Sequence, residues 1–235
     1  MSNIIIHSPA TVELDKITYS KLYKLKNGSL KGKISYNHGY NLYIKGPKMT
    51  LGSDIIKQNG YYYVDLTFDK KNKHNLKFLE LVKKIDYLAI SEIHENSQLW
   101  YPDHNEDVSL IQIEQEYIPT IKLSTIYTDC SALKLKISEN KTEFFDQDNI
   151  AVPYQLIKEN YMTTPLFHVE ATCKDDQYIW TQWELSQLKV ELPETVISGC
   201  QLIDIDDESD NDDVIPTVEE LEELNKIEVV ESSNI

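Results

Sequence analysis

The sequence contains no arginine: all 23 basic residues are lysine. Planar, bidentate readout of guanine or phosphate is therefore excluded, and any contact with nucleic acid must use point charges and stacked rings. Cysteine is scarce. Cys130, Cys173 and Cys200 are odd in number, far apart and without a Cys-x-x-Cys pair, so they read as reduced thiols in an intracellular protein, not as a disulfide framework or zinc site. No run approaches the ~20 apolar residues of a membrane span. Met1-Ser2-Asn3-Ile4-Ile5-Ile6-His7 lacks the basic start and long apolar stretch of a signal peptide. Catalytic motifs are missing too. Gly28-Ser29-Leu30-Lys31-Gly32-Lys33 has one residue too few between its glycines for a phosphate loop, and no Ser or Thr after the lysine. The histidines at 7, 38, 74, 94, 104 and 168 are dispersed. His94-Glu95 and Asp103-His104 flank Trp100-Tyr101, and this stretch reads as a polar loop after a helix. The expectation is a binding protein, not an enzyme, with no metal, no cofactor and no membrane partner.

What is present is a chain of 235 residues with 41% apolar content, enough for a real core. Its net charge of -16 is unevenly placed. From Gln201 to Ile235, thirteen acids face a single base, Lys226, whereas residues 1–50 hold eight lysines against Glu13 and Asp15. The chain is basic at the front and strongly acidic at the end. Abundant Lys, Asn, Ile and Tyr with no Arg also match an AT-rich genome.

The front half reads as strands. Ile17 to Lys26 is a β-branched and aromatic run closed by Asn27-Gly28, a type I′ hairpin signal, with a return strand from Leu30 to Tyr36. Tyr40 to Lys45 follows. Tyr61 to Phe68 alternates, with Tyr62, Val64, Leu66 and Phe68 on one face and Tyr61, Tyr63, Asp65 and Thr67 on the other. One long helix is expected over about 75–93, capped by Asn75, with Leu76, Phe78, Leu79, Val82, Ile85 and Leu88 as its stripe. Leu133, Leu135 and Ile137 then alternate with Lys134 and Lys136. Pro165 to Thr172 and Tyr178 to Leu192 form a terminal pair, turning at Lys174-Asp175-Asp176. Trp100, Trp180 and Trp183 are assigned to the core.

The globular body is expected to span 1–195, with 196–235 as an acidic tail. Asp204 to Asp213 is too charged and too polar to fold alone. Beyond Pro216, Thr217-x-x-Glu220 is a capping box, and Val218, Leu221, Leu224 and Ile227 make an apolar stripe in a short acidic helix over about 217–230. Such a segment can fold on a partner.

The binding signal lies between Tyr19 and Lys48, where rings and charges interleave. The expected nucleic-acid-binding set is Lys21, Tyr23, Lys24, Lys31, Lys33, Tyr36, Tyr40, Tyr43, Lys45 and Lys48. Proteins that hold single strands without sequence preference need lysines along phosphates and rings under bases, at ~1–3 kcal/mol per stacked base. A tethered polyanion would compete for such a surface at ~mM effective concentration, and its apolar stripe could recruit replication proteins.

The order of segments resembles the single-stranded DNA-binding proteins of nucleocytoplasmic large DNA viruses, which are similar to the OB-fold single-strand binders of tailed phages. The likeness covers roughly residues 30 to 192. It lies in Leu42-Tyr43-Ile44-Lys45-Gly46-Pro47-Lys48-Met49, Tyr61 to Phe68, the helix with Ile85-Asp86, and Asn96-Ser97-x-x-Trp100. Tyr117-Ile118-Pro119-Thr120-Ile121-Lys122, Leu133 to Lys136, Tyr178-Ile179-Trp180 and Leu188-Lys189-Val190 complete it. Where such proteins carry a Phe-Gly pair, this chain has Thr181-Gln182-Trp183-Glu184. The resemblance implies a mainly β fold with one long helix, an OB-type β-barrel followed by a disordered acidic C-terminal tail. It further implies single-stranded DNA as partner in viral replication, recombination or repair, in the host cytoplasm or virion, with room for a homo-oligomer. The rival expectations are a virion structural or core protein, or a transcription-associated adaptor, neither binding DNA.

Overall fold

The computed structural model describes residues 4–58, 61–104, 106–123, 131–138 and 141–193. The first strands are β1 (Ile6–His7), β2 (Ile17–Tyr19), β3 (Tyr23–Lys24), β4 (Leu30–Tyr36) and β5 (Leu42–Lys45). They are followed by β6 (Met49–Leu51), β7 (Ile56–Gln58) and β8 (Tyr61–Phe68). Three helices come next: α1 (Lys73–Glu95), α2 (Ser97–Trp100) and α3 (Leu110–Glu116). The rest is β9 (Tyr117–Ile118), β10 (Ile121–Leu123), β11 (Ser131–Ile137), β12 (Glu143–Phe145), β13 (Met162–Lys174) and β14 (Ile179–Val190).

Five strands close on themselves. β6 pairs with β8, β8 with β11, β11 with β14, β14 with β13, and β13 returns to β6. Only β11–β14 is parallel in that ring. The fold is therefore mainly β with one long helix, built on a closed five-stranded barrel of the OB type, and closure removes the free edges of those strands. Strand alternation fills the barrel: Val64, Leu66 and Phe68 of β8, Leu133, Leu135 and Ile137 of β11, and Phe167 and Val169 of β13 all point inward. β13 is long enough to pair on one side with β14 and on the other with β4, β5 and β6 in turn.

α1 covers the barrel with Phe78, which stacks against Phe68 and Phe167 with centroids 5.9 and 5.1 Å apart and meets the Trp183 ring edge-on. The helix starts three residues before the expected cap's successor would allow. Asn72 is the N-cap, its side-chain oxygen accepting from the His74 N–H at 2.8 Å, and Asn75 is buried in the first turn. The stripe is turned accordingly: Phe78, Leu81, Val82, Ile85, Ala89 and Ile93 are buried, while Leu76 is exposed. The β2–β4 region is the expected hairpin, but its turn is longer than type I′. The Gly28 N–H donates to Leu25 O at 2.9 Å, and only Gly28, at φ +91°, occupies the left-handed region there. This is the three-residue loop in which a single glycine suffices.

Beyond α1 a second core gathers Ala89, Ile93, Trp100, Tyr101, Val108, Ile113, Tyr117 and Ile179. Asp86 ties it to the barrel. Its carboxylate accepts from the Tyr117 hydroxyl at 2.8 Å, the Thr120 hydroxyl at 2.6 Å and the Thr120 N–H at 2.9 Å. Tyr117 Oη lies 2.6 Å from Thr181 Oγ1 on β14, which extends the same network. Cys173 is a buried free thiol, pushed up to about 11 mainly by burial. Cys130, Cys200, and the whole tail with Val218, Leu221, Leu224 and Ile227, lie outside the described residues.

Candidate nucleic-acid interface

Neighbouring strands put like-facing residues opposite one another, so the outer surface of β8 and β11 can be read from their register. Lys136 lies opposite Tyr63 and Lys134 opposite Asp65, while Lys122 of β10 is paired with Ala132 on the other side of β11. The lysines lean diagonally onto the rings: Lys136 Nζ over Tyr61, Lys134 Nζ over Tyr63. On the far side, Ile118 of β9 pairs with Trp180 of β14.

β11 and β14 are hydrogen-bonded only where Lys136 and Ile137 meet Glu184 and Leu185. Beyond that point each takes other partners, and a groove of about 450 Å³ opens between them. Tyr63, Lys122, Lys134 and Lys136 form one wall, and Trp180 and Gln182 the other. The segment Ile118-Pro119-Thr120 closes one part of the rim, held in place by the bonds from Tyr117 and Thr120 to Asp86. Tyr63 and Trp180 are half-buried. None of the three lysines has an ion pair among the described residues, and Lys134 donates only to Gln58 Oε1, at 3.2 Å. Two carboxylates stand beside them: Asp65 opposite Lys134, and Glu184 in register with Lys136 where β14 joins β11. Burial pushes the Asp65 carboxyl up, more than Lys134 and Lys122 pull it down. Beneath the groove the Trp183 indole N–H is buried with no hydrogen-bond partner. The arrangement offers a flat ring on each wall, lysines along one and a carboxamide on the other.

The ten residues singled out from the sequence do not share one channel. Tyr36 is 4% exposed and belongs to the core. Strand alternation sets it on the inward face of β4 with Ile34, its ring meets His7, and its hydroxyl accepts from the Glu13 N–H. It is unavailable for stacking, which corrects the expectation. Lys31 is already paired with Glu170 at 2.7 Å and donates to Gln182 Oε1 at 3.3 Å. Lys48 is paired with Glu191. Tyr43 stacks on His168, with centroids 4.9 Å apart. Lys21, Tyr23, Lys24 and Lys33 are exposed around the β2–β4 hairpin, and Tyr40 is exposed at the tight loop after β4. Lys45 lines a different cleft.

The groove residues were visible as outward members of alternating strands, since Tyr63, Lys134 and Lys136 point to the face away from their chain neighbours Val64, Leu133 and Leu135. Trp180 is a correction. It is not core: parity puts it outward, whereas Trp183 and Trp100, at 5% and 2% exposure, are core as expected. His94, Glu95, Asp103 and His104 are not brought together, and no group of metal-ligating side chains assembles among the described residues.

No protein-family model matches the chain, and no curated protein does. Solved structures similar to it include gp2.5, a single-stranded DNA-binding protein encoded by bacteriophage T7. The likeness there has a TM-score of 0.45 at 10% identity, over 67% of this chain and 96% of that one. The C-terminally truncated single-stranded DNA-binding protein of bacteriophage Enc34 is similar with a TM-score of 0.46 at 10% identity, over 77% and 97%. The same Enc34 protein in complex with single-stranded DNA gives 0.43 at 10% identity, over 75% and 97%.

Proposed function

We propose that the protein binds single-stranded DNA with little sequence preference, laying the strand along the groove between β11 and β14. One observation carries this reading: half-buried Tyr63 and Trp180 flank three lysines that have no ion pairs among the described residues. Rings set at the level of a groove wall serve unpaired bases, because a base must leave its stack to lie on them. Lysines at the rim serve phosphates as point charges, which fits a chain without arginine. No geometry in the groove selects one base over another.

The proposal extends to a role in viral DNA replication, recombination or repair, in the host cytoplasm or virion, with the acidic segment from Gln201 as a competitor for the groove and a contact for replication proteins. Charge supports the competitor alone: thirteen acids lie near one end of the chain, and the groove on the barrel is lined by three lysines.

The test is a fluorescence-anisotropy titration with labelled single strand, duplex and RNA across a range of salt. Single-stranded DNA should bind more tightly than duplex, with log affinity falling steeply as log salt rises. Equal affinity for duplex and single strand, or a flat salt dependence, overturns the reading.

A further inference from the structure

β14 carries a second cleft at its other end. Trp180, Gln182 and Glu184 face outward, and then a bulge opposite Leu166 and Phe167 shifts the register. Past it Leu188 and Val190 point into the core, and Gln187 and Lys189 take over the outer face. There a cleft of about 500 Å³ is lined by Lys45, Lys48, Phe145, Asn149, Gln187 and Lys189, among others. Like the first groove it brings together a half-buried ring, a carboxamide and three lysines, with Glu191 as an acid in its lining. Lys45 has no ion pair among the described residues, Lys48 is held by Glu191, and Lys189 donates to Asn149 Oδ1 at 2.8 Å. Lys45 and Lys48 also border an adjoining hollow that adds Lys77.

The surface between the two grooves has the opposite character. Glu143, Glu170 and Glu184 line the hollow there, with Lys141 and His168 as its basic members. A phosphate backbone is repelled from such a saddle and has to bridge it. From Gln182 to Lys189 the strand advances roughly 23 Å at the usual rise per residue.

We infer that the Lys45–Lys189 cleft is a second anchor for the same DNA strand, with phosphates on Lys45 and Lys189 and a base over Phe145. This rests on the proposed single-strand binding. An acidic peptide would satisfy the lysines too, but it would leave the half-buried Phe145 ring without the flat partner that a base supplies; the carboxamides of Gln187 and Asn149 are already bonded to Glu143 and Lys189 and do not decide between the two. With two anchors, a short oligonucleotide occupies the first groove alone and a longer one occupies both.

The experiment uses the full chain, the double variants Lys45→Gln/Lys189→Gln and Lys134→Gln/Lys136→Gln, and a series of oligothymidylates. Lengths from about 4 to about 30 nucleotides bracket the site sizes that OB folds occupy. Thermal melting checks that both variants stay folded. The Lys45/Lys189 variant should bind the shortest strands like the parent protein, yet lose about tenfold on long ones, with a salt slope smaller by about 1.4. Unchanged binding at every length overturns the inference, including the case in which an acidic peptide binds the cleft instead. An equal loss at every length also overturns it, since the lysines would then act only through the overall field. Should the Lys134/Lys136 variant keep full affinity for the shortest strands, the parent reading fails, and that result is distinct from the other two.

Discussion

The Lys136 ammonium sits 3.5 Å from the centroid of the Tyr61 ring, and Lys134 stands 5.0 Å from that of Tyr63. Charge and ring are thus held side by side before any ligand arrives. Contacts of this exposed kind contribute about 0.5–1 kcal/mol to the fold, so the lysines are kept in position without being locked. They remain free to turn toward a phosphate.

From this follows the first expectation. Lys136→Gln should lower the salt slope of oligonucleotide binding by about 0.7, the share of one phosphate contact on a single strand. Stability should change by no more than about 1 kcal/mol. Salt titrations beside urea denaturation separate the two effects. A slope identical to that of the parent protein would remove Lys136 from the interface.

Trp180 and Trp183 are three residues apart and should behave in opposite ways. Trp183 packs among Phe78 and Phe167 in the barrel core, so Trp183→Ala should destabilise the protein by about 3–5 kcal/mol. Trp180→Ala should leave unfolding nearly unchanged and weaken single-strand binding by about 1–3 kcal/mol, the worth of one stacked base. If Trp180→Ala binds as well as the parent protein, the groove holds no base there.

Much of the barrel was legible because its signals are local. The alternation from Tyr61 to Phe68 and around Leu133 to Ile137 marks which side chains face in, and the helix period marks α1. The interface was harder to read because it depends on register between segments far apart in the chain. Lys136 meets Tyr63 across seventy-odd residues, and nothing in either segment announces the other. Tyr36 shows the converse error: composition made it part of a cationic, aromatic stretch, yet strand parity with Ile34 sends it inward. A tryptophan's size favours the core, but the position of Trp180 one residue after buried Ile179 sets it on the opposite face. The outward turn of Lys189 depends on a bulge, which no local pattern reveals.

Asp86 is the residue through which α1 holds the groove's rim. Asp86→Ala would leave the Tyr117 hydroxyl and the Thr120 N–H without their carboxylate, and hydrogen bonds to a charged group contribute about 1.5–3 kcal/mol each. Asp86→Asn keeps the shape and an acceptor and should lose less. Burial raises the Asp86 carboxyl above its ordinary value despite the bonds it accepts. The folded state therefore holds its proton to a higher pH than the unfolded chain, and this group's contribution to stability declines as pH rises through that interval. Asp86→Asn should remove that decline, as read by denaturant unfolding from pH 3.5 upward in steps of about one unit. A variant with the parent's pH dependence would show that Asp86 is not its source.

Deleting Gln201 to Ile235 removes thirteen acids and one base. If that segment competes with nucleic acid, the shortened chain should bind oligonucleotides more tightly, and the gain should shrink as salt screens the competition. Anisotropy titrations of both chains at low and high salt give the comparison. An affinity that is unchanged or weaker at low salt argues that the acidic segment does not act on the groove.

Glu184 supplies the acid-side test of the outer face. Its carboxylate lies 3.9 Å from His168 Nδ1, and the imidazole is the main cause holding it below the ordinary 4.5, at about 2, against the opposing effect of burial. A carboxylate depressed in the folded state contributes stability that is fully present above its unfolded value and lost as pH falls toward the folded one. The window here runs from about pH 4.5 down to about pH 2. Glu184→Gln lacks that component, so its unfolding free energy should fall less steeply on acidification than the parent's. His168→Gln removes the largest cause, leaving the smaller ones from Glu170 and Lys141, and should flatten the dependence in part. Parallel curves for all three proteins between pH 5 and pH 2.5, measured by urea denaturation, would show that the pair does not hold the Glu184 carboxyl down.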